Sequence, residues 1–260
     1  MMLNNIFIEK KAYFGRRDIR RITIPESVQA VGDWAFASCR NLEEVEFERE
    51  DTVLGKAVFQ KCEKLRRICV KGKHEDVAYL LGAVPVCLGE PYLLDLSDAG
   101  SKRWLEQFDA VLLARLGENE MEGFAGQFVC GEEDSGRKNE DDYREERRRW
   151  KAELAYLRLI HPLGISSGTA QVLRRYLCEH RRGCVSEAAW RTLLSGHGTD
   201  MEYAQVYIDV AKEQEDQIFD LDAHLKDIGE ELPELKVFFL KYSNFGKDSS
   251  DFFGSLDLNL

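Results

Sequence analysis

ITIPESVQAVGDWAFASCRNLEEVEF, Ile22 to Phe47, is the stretch on which the reading of this chain turns, because the chain then repeats much of it. Val31 to Phe47 superposes on Leu54 to Val70 at a spacing of 23 residues. Ala35-Phe36, Cys39, Leu42, Val45 and Phe47 return as Val58-Phe59, Cys62, Leu65, Ile68 and Val70, and Ala12-Tyr13, Ile19, Ile22 and Ile24 form a degraded earlier copy. A fixed period of about 20–29 residues signals one supersecondary unit per repeat, none able to bury its apolar face alone. Each unit ends on an alternating V-x-F pattern, which is strand spacing. Upstream, Val31, Ala35-Phe36 and Cys39 fall three to four residues apart, which predicts a short helix or 3-10 turn on the opposite wall.

One strand and one helical turn per repeat describe a leucine-rich-repeat solenoid. The run Ile22-Thr23-Ile24-Pro25-x-x-Val28-x-x-Val31-Gly32-x-x-Ala35-Phe36-x-x-Cys39-x-x-Leu42-x-x-Val45 resembles the BspA-type leucine-rich repeat of bacterial proteins, over roughly residues 8–73. That resemblance implies a parallel β-solenoid used for binding, often on secreted or surface proteins. Ile22, Val45 and Ile68 are expected to form one buried column, with Ile24, Phe47 and Val70 beside it.

Composition bounds the function classes. Of 260 residues, 44% are hydrophobic and 32% charged, ordinary for a folded soluble protein. Residues 1–73 carry a net +4 and residues 74–260 a net −15. The larger, acidic part would repel a phosphate backbone, so nucleic acid is not the expected ligand. Met1 to Lys11 holds no export-type apolar segment, and the longest uncharged apolar run, Val77 to Gly89, is 13 residues and contains Pro85. A membrane span needs about 20, so no membrane association and a cytoplasmic location are expected. Seven cysteines without CxxC spacing fit reduced thiols. Cys39 and Cys62 share one repeat position, where a small apolar side chain suits a narrow interior.

The expected fold class is α+β, in two domains. Residues 1–73 form the solenoid with its N-terminal cap, and residues 74–260 form an all-α domain, an α-hairpin stack, that caps it. Three repeats are about the minimum for stability, so the open edge after Val70 needs a cover, and Glu75 to Leu88 is placed to supply it. Helices are expected over Ser101 to Leu116, over Tyr143 to Ile160, and around Val172–Leu177, Trp190–Leu194, Tyr203–Val210, Ile218–Ile228 and Leu235–Tyr242. In the second of these, Arg144 to Lys151 is expected to be solvated. Thr199 and Glu202 have capping-box spacing, and Gly131 to Asp142 reads as an exposed acidic loop.

Chemistry-bearing clusters are few. Cys178, His180 and Cys184 lack a fourth ligand and metal-site spacing. Gly196-His197-Gly198-Thr199-Asp200 reads as a helix C-cap running into an N-cap. Glu132-Glu133-Asp134 lacks a calcium-loop pattern. No catalytic residue, cofactor or metal site is therefore expected. The candidate surface lies on the strands, where the 23-residue period stacks Arg20, Glu43 and Arg66 in one column and Arg21, Glu44 and Arg67 in another. Strands lie about 4.8 Å apart, so each glutamate is expected within reach of an arginine. The function expected is a non-catalytic protein-binding or scaffolding protein whose partner is another protein, met at the groove between solenoid and helices. The alternative is a helical effector or enzyme domain targeted by the repeats.

Overall fold

The computed structural model describes residues 6–122, 124, 139–213 and 220–243. The repeats form three stacked coils, each with a two-residue and a four-residue strand. The short strands β1 (Phe7–Ile8), β3 (Ala30–Val31) and β5 (Val53–Leu54) make one parallel sheet in the order β1-β3-β5. The longer strands β2 (Arg21–Ile24), β4 (Glu44–Phe47) and β6 (Arg67–Val70) make the second, in the order β2-β4-β6. The register is the repeat itself, with Ile22 opposite Val45 and Val45 opposite Ile68, and Ile24 opposite Phe47 and Phe47 opposite Val70. Five of these six side chains are fully buried and Ile22, in the outermost coil, is half-buried.

No helix forms on the opposite wall, contrary to the three-to-four spacing. Trp34 and Ser38 hold left-handed φ values of 55° and 62°, and Lys11, Ala57 and Lys61 repeat that conformation one coil away. A right-handed helix cannot pass through such positions. The amides alternate instead. Ala35, Ala37 and Cys39 donate within their own coil to the carbonyls of Gly32, Trp34 and Phe36. Trp34, Phe36 and Ser38 donate forward to Lys56, Val58 and Gln60 of the next coil, at 2.7–3.0 Å. Lys11, Tyr13 and Gly15 do the same toward Asp33, Ala35 and Ala37.

The interior follows from this stacking. Tyr13, Phe36 and Phe59 form an aromatic pile with centroids 5.0 and 5.8 Å apart. Cys39 and Cys62 are buried free thiols. Each donates its S–H, at 3.1 Å, to a carbonyl of the preceding coil, Tyr13 and Phe36 respectively. Burial pushes the Cys62 thiol up to about 12. Coil spacing is tight: a Cβ on Gly55 would stand 2.7 Å from the Asp33 amide nitrogen, closer than real Cβ atoms come.

The edge of β6 is covered. Helix α1 (Glu75–Ala83) packs on it, with Val77, Leu80 and Leu81 buried. Contact is backbone to backbone at Gly82, where a Cβ would fall on the carbonyl of Arg66. A π-helical turn (Val84–Leu88) and a 3-10 turn (Pro91–Leu94) lead to helix α2 (Lys102–Gly117), capped by the Ser101 hydroxyl. Arg158 lies fully buried against α2 and donates to both carboxylate oxygens of Asp109, at 2.6 and 3.3 Å, and to the carbonyls of His161 and Leu163.

The compact division of the chain falls elsewhere than at residue 73. One unit is Met1–Glu122 with Leu157–Gln171; the other is Gly123–Tyr156 with Val172–Leu260. The cause in the first unit is the α1–β6 contact and the Arg158–Asp109 pair, which bind helical segments to the repeats' own unit. The remaining helices are α3 (Glu140–Ile160), α4 (Ser167–Glu179), α5 (Ala188–Gly196), α6 (Met201–Lys212), α7 (Leu221–Asp227) and α8 (Pro233–Ser243). Among the described residues no helix is long and apolar enough to cross a membrane.

Several local expectations shift. Helix α3 starts three residues early, since the Asn139 side chain accepts from the Asp142 amide and Glu140, Asp141 and Asp142 suit a helix N-terminus. Lys151 is buried and Trp150 half-exposed, because position 151 shares a face with Leu154, Ala155 and Arg158. The cap of α6 is Asp200, not Thr199. Glu132-Glu133-Asp134 and Ile218 lie outside the described residues. The second unit's core centres on Trp190, Tyr207, His224 and Phe239. His224 must donate Nδ1–H to the Asp220 carbonyl at 2.6 Å, so its Nε2 accepts from the Tyr207 hydroxyl at 2.9 Å.

Two outcomes are expected. Gly82→Ala should destabilise the protein by about 1–3 kcal/mol in urea unfolding, the cost of overpacking a rigid contact, whereas Gly117→Ala, with open space around its Cβ position, should not. For Cys62 the thiol's ordinary value of 9.0 is raised on folding, so the unfolded chain loses that proton first. Stability is therefore complete below about pH 9 and falls as pH rises toward about 12. Cys62→Ala should show a shallower decline over that window than the parent protein.

Candidate functional site

Two surfaces of the first unit combine order, exposure and polar groups. The first is the strand face of β2, β4 and β6. Arg21, Glu44 and Arg67 stand opposite one another in register, as the period requires. Arg67 lies 3.6 Å from the Glu44 carboxylate and 3.5 Å from Glu75, with its guanidinium 5.0 Å from the centre of the Tyr79 ring. One row along, Thr23 donates its hydroxyl to Glu46 at 3.3 Å.

Arg20, Glu43 and Arg66 also stack, but through their backbones. The Glu43 amide donates to the Arg20 carbonyl at 2.7 Å, and the Arg66 amide to the Glu43 carbonyl at 2.9 Å. Among the described residues Glu43 has no ion pair, contrary to the expected ladder. The column sits just before the paired strands, where register fixes the backbone without bringing the side chains together. Of the two glutamates expected to pair, only Glu44 does so among the described residues.

The second surface is a cleft of about 880 Å³ at the end of the coil stack, within the range of about 300–1,000 Å³ common for ligand pockets. Its floor is β5 with the turn that follows it, Gly55 to Gln60. Val84, Pro85, Pro91, Tyr92 and Leu94 form the facing wall. That wall is pinned from behind. The Trp104 indole donates to the Leu93 carbonyl at 3.0 Å, and Arg115 donates to the Leu88 carbonyl at 2.9 Å and pairs with Glu90 at 3.3 Å. Lys73 donates to the Ser97 carbonyl at 2.8 Å. Asp95 accepts from Ser97, which holds its carboxyl below the usual carboxylate range. Val53 is 66% exposed and Tyr92 52% exposed at the two sides.

The cleft lies between the last coil and the turns that follow α1, all within the first unit, and its lining is not marked in the sequence by any charged or catalytic pattern. The available signal was the cluster of breakers Pro85, Gly89 and Pro91, which stops α1 from continuing and sets the wall back from the coils.

The remaining candidates are accounted for locally. His180 Nδ1 lies 2.8 Å from the Tyr176 carbonyl, Cys178 Sγ accepts from Arg181, and Cys184 Sγ faces the Cys178 carbonyl. Among the described residues no three His, Cys, Asp or Glu side chains gather as a metal site. Gly196 ends α5 and Asp200 caps α6, as the cap-to-cap reading had it. In the second unit Glu153 accepts from the Tyr203 hydroxyl at 3.0 Å and meets His197 Nε2 at 2.9 Å, while the His197 and Tyr203 rings stack at 3.6 Å.

Residues 3–79 match the family described as BspA type Leucine rich repeat region (6 copies). The chain thus opens with a BspA-type leucine-rich repeat region, a class of repeat that serves in general as a protein-interaction module, and continues as helices. No curated protein matches it. No solved structure does either.

The strand face yields a quantitative expectation. Glu44→Gln should lower stability by no more than about 1 kcal/mol, and high salt should abolish the difference from the parent, because the pair is only part-buried. Glu43→Gln should leave stability unchanged at any salt concentration, measured by thermal unfolding.

Proposed function

We propose that this is a non-catalytic binding or scaffolding protein of the cytoplasm, whose ligand is another protein held at the solenoid end of the chain. The observation that carries the reading is the cleft. Its far wall is fixed by Trp104 and Arg115 before any partner arrives, so little ordering cost falls on binding. An interaction-type repeat forms its floor, and exposed Val53 and Tyr92 supply apolar area at its sides. The charged strand face of Arg21, Glu44 and Arg67 adjoins the same coils and adds polar specificity. Free thiols at Cys39, Cys62, Cys69, Cys178 and Cys184 support a reducing compartment.

A second reading, an activity in the helical part, has one observation in its favour: the Glu153–His197–Tyr203 group pairs a carboxylate with an imidazole. Affinity capture from extract of the source cell, with bound proteins identified by mass, separates the two. Wild-type protein should retain a partner that Tyr92→Ala together with Val53→Lys releases at least fivefold, with the circular dichroism spectrum unchanged. Equal capture by both proteins, or turnover of a small molecule that Glu153→Gln abolishes, would overturn the binding reading.

A further inference from the structure

The solenoid is closed at its end on only half of its circumference. Helix α1 covers the edge of β6. The other strand of that coil, β5, pairs with β3 on one side and, among the described residues, with no strand on the other. The coil-to-coil hydrogen bonds show which groups this leaves over. Gly32 donates to Ile8 and Gly55 to Val31, so the next carbonyl in that row is Leu54. Gln29 donates to Ile6 and Val53 to Gln29, so the next in that row is Thr52. Trp34 and Phe36 donate forward to Lys56 and Val58, and their equivalents one coil on are the amides of Ala57 and Phe59. Thr52, Leu54, Ala57 and Phe59 all line the cleft.

The floor of the cleft is thus a row of two acceptors followed by two donors, spaced as they would be to receive a fourth coil. The opposite wall does not answer them. It holds Pro85 and Pro91, which have no N–H to give, and apolar Val84, Tyr92 and Leu94. Among the titratable groups at the rim are Asp33, Asp51, Glu90, Asp95 and Lys56; Arg49 pairs with Asp51 and Arg115 with Glu90, which leaves Asp33 and Asp95 as the acids with no ion pair among the described residues.

We propose that this cleft recognises its partner by strand addition: an extended segment of another protein lies parallel to β5 as a short fourth coil strand. It donates to the carbonyls of Thr52 and Leu54 and accepts from the amides of Ala57 and Phe59. One apolar side chain turns toward Pro91 and Tyr92, and a lysine or arginine meets the acidic rim. This rests on the protein-binding reading above and specifies its mode. Main-chain pairing supplies affinity and the pocket supplies selectivity, while an edge left unpaired is otherwise a hazard that chains blunt or cover.

The test uses the full-length protein and a phage-displayed library of random twelve-residue peptides. Selected peptides, remade synthetically, should combine apolar with basic residues and weaken at least tenfold against Val53→Lys or Tyr92→Ala. Amide hydrogen exchange should slow at Ala57 and Phe59 on binding. Methylation of alternate peptide nitrogens supplies the decisive comparison, because only every second N–H of an added strand faces β5. One methylated series should lose binding and the other, shifted by one residue, should keep it.

Peptides that bind as helices, that tolerate both methylated series, or that protect Arg21 and Glu44 rather than Ala57 and Phe59 would overturn strand addition while leaving the binding reading intact. Recovery of no peptide would overturn it as well. Failure of the binding reading itself is seen separately, as partner capture that is insensitive to the cleft variants.

Discussion

Everything in the first unit depends on one row of hydrogen bonds, the forward donations of every second amide in the turn that replaces a helix. Trp34, Phe36 and Ser38 give their N–H groups to the following coil, while the residues between them satisfy themselves locally. That division requires left-handed backbone at Trp34 and Ser38, which costs on the order of 1–2 kcal/mol at each non-glycine residue. The cost is offset because the same bonds fix coil spacing, pile Tyr13, Phe36 and Phe59 face to face, and set the cysteine thiols under carbonyls of the coil before. Each coil takes this conformation stacked on at least one neighbour, so the repeats are cooperative by construction.

How the stack ends follows from the same constraint. A last coil must leave its forward groups unmet or find another partner for them. Here the two halves end differently. Sequence provides Gly82 so that α1 can lie directly on Arg66, and it provides Pro85, Gly89 and Pro91 so that the chain then turns away from β5. The first choice closes the apolar core, and the second opens a polar floor beneath an apolar wall. The Arg158–Asp109 pair holds a later segment to the same unit with each guanidinium bond directed at a carboxylate or carbonyl, as a buried charge demands.

Much of this was legible in the residues. The 23-residue recurrence located the strands and their register, since Val45 and Ile68 can share a column only if whole coils stack. Helix positions were legible too, from stripes such as Trp104, Phe108 and Leu112. Spacing could not decide between a short helix and a turn, because the apolar positions Val31, Ala35 and Cys39 recur in the same way whether or not the intervening amides bond locally. Nothing in the identity of Trp34 announces left-handed backbone. Glu43 and Glu44 were equally plausible ion-pair partners by spacing, and only the strand boundary at Glu44 separates them. The cleft was legible as a break in pattern after Ala83 but not as a shape, because its floor is backbone and sequence does not display backbone groups.

The lock between α1 and β6 also bears on how such a chain can change its length over descent. A coil of different sequence appended after Val70 would separate Gly82 from Arg66 and leave the helix on a surface it was not shaped to fit. A coil duplicated between Val31 and Leu54 would leave both ends untouched, since each interior junction is the same junction. The solenoid can therefore lengthen by copying a coil with its two ends carried outward unchanged, and its terminal cleft would keep its form while the strand face beside it widened.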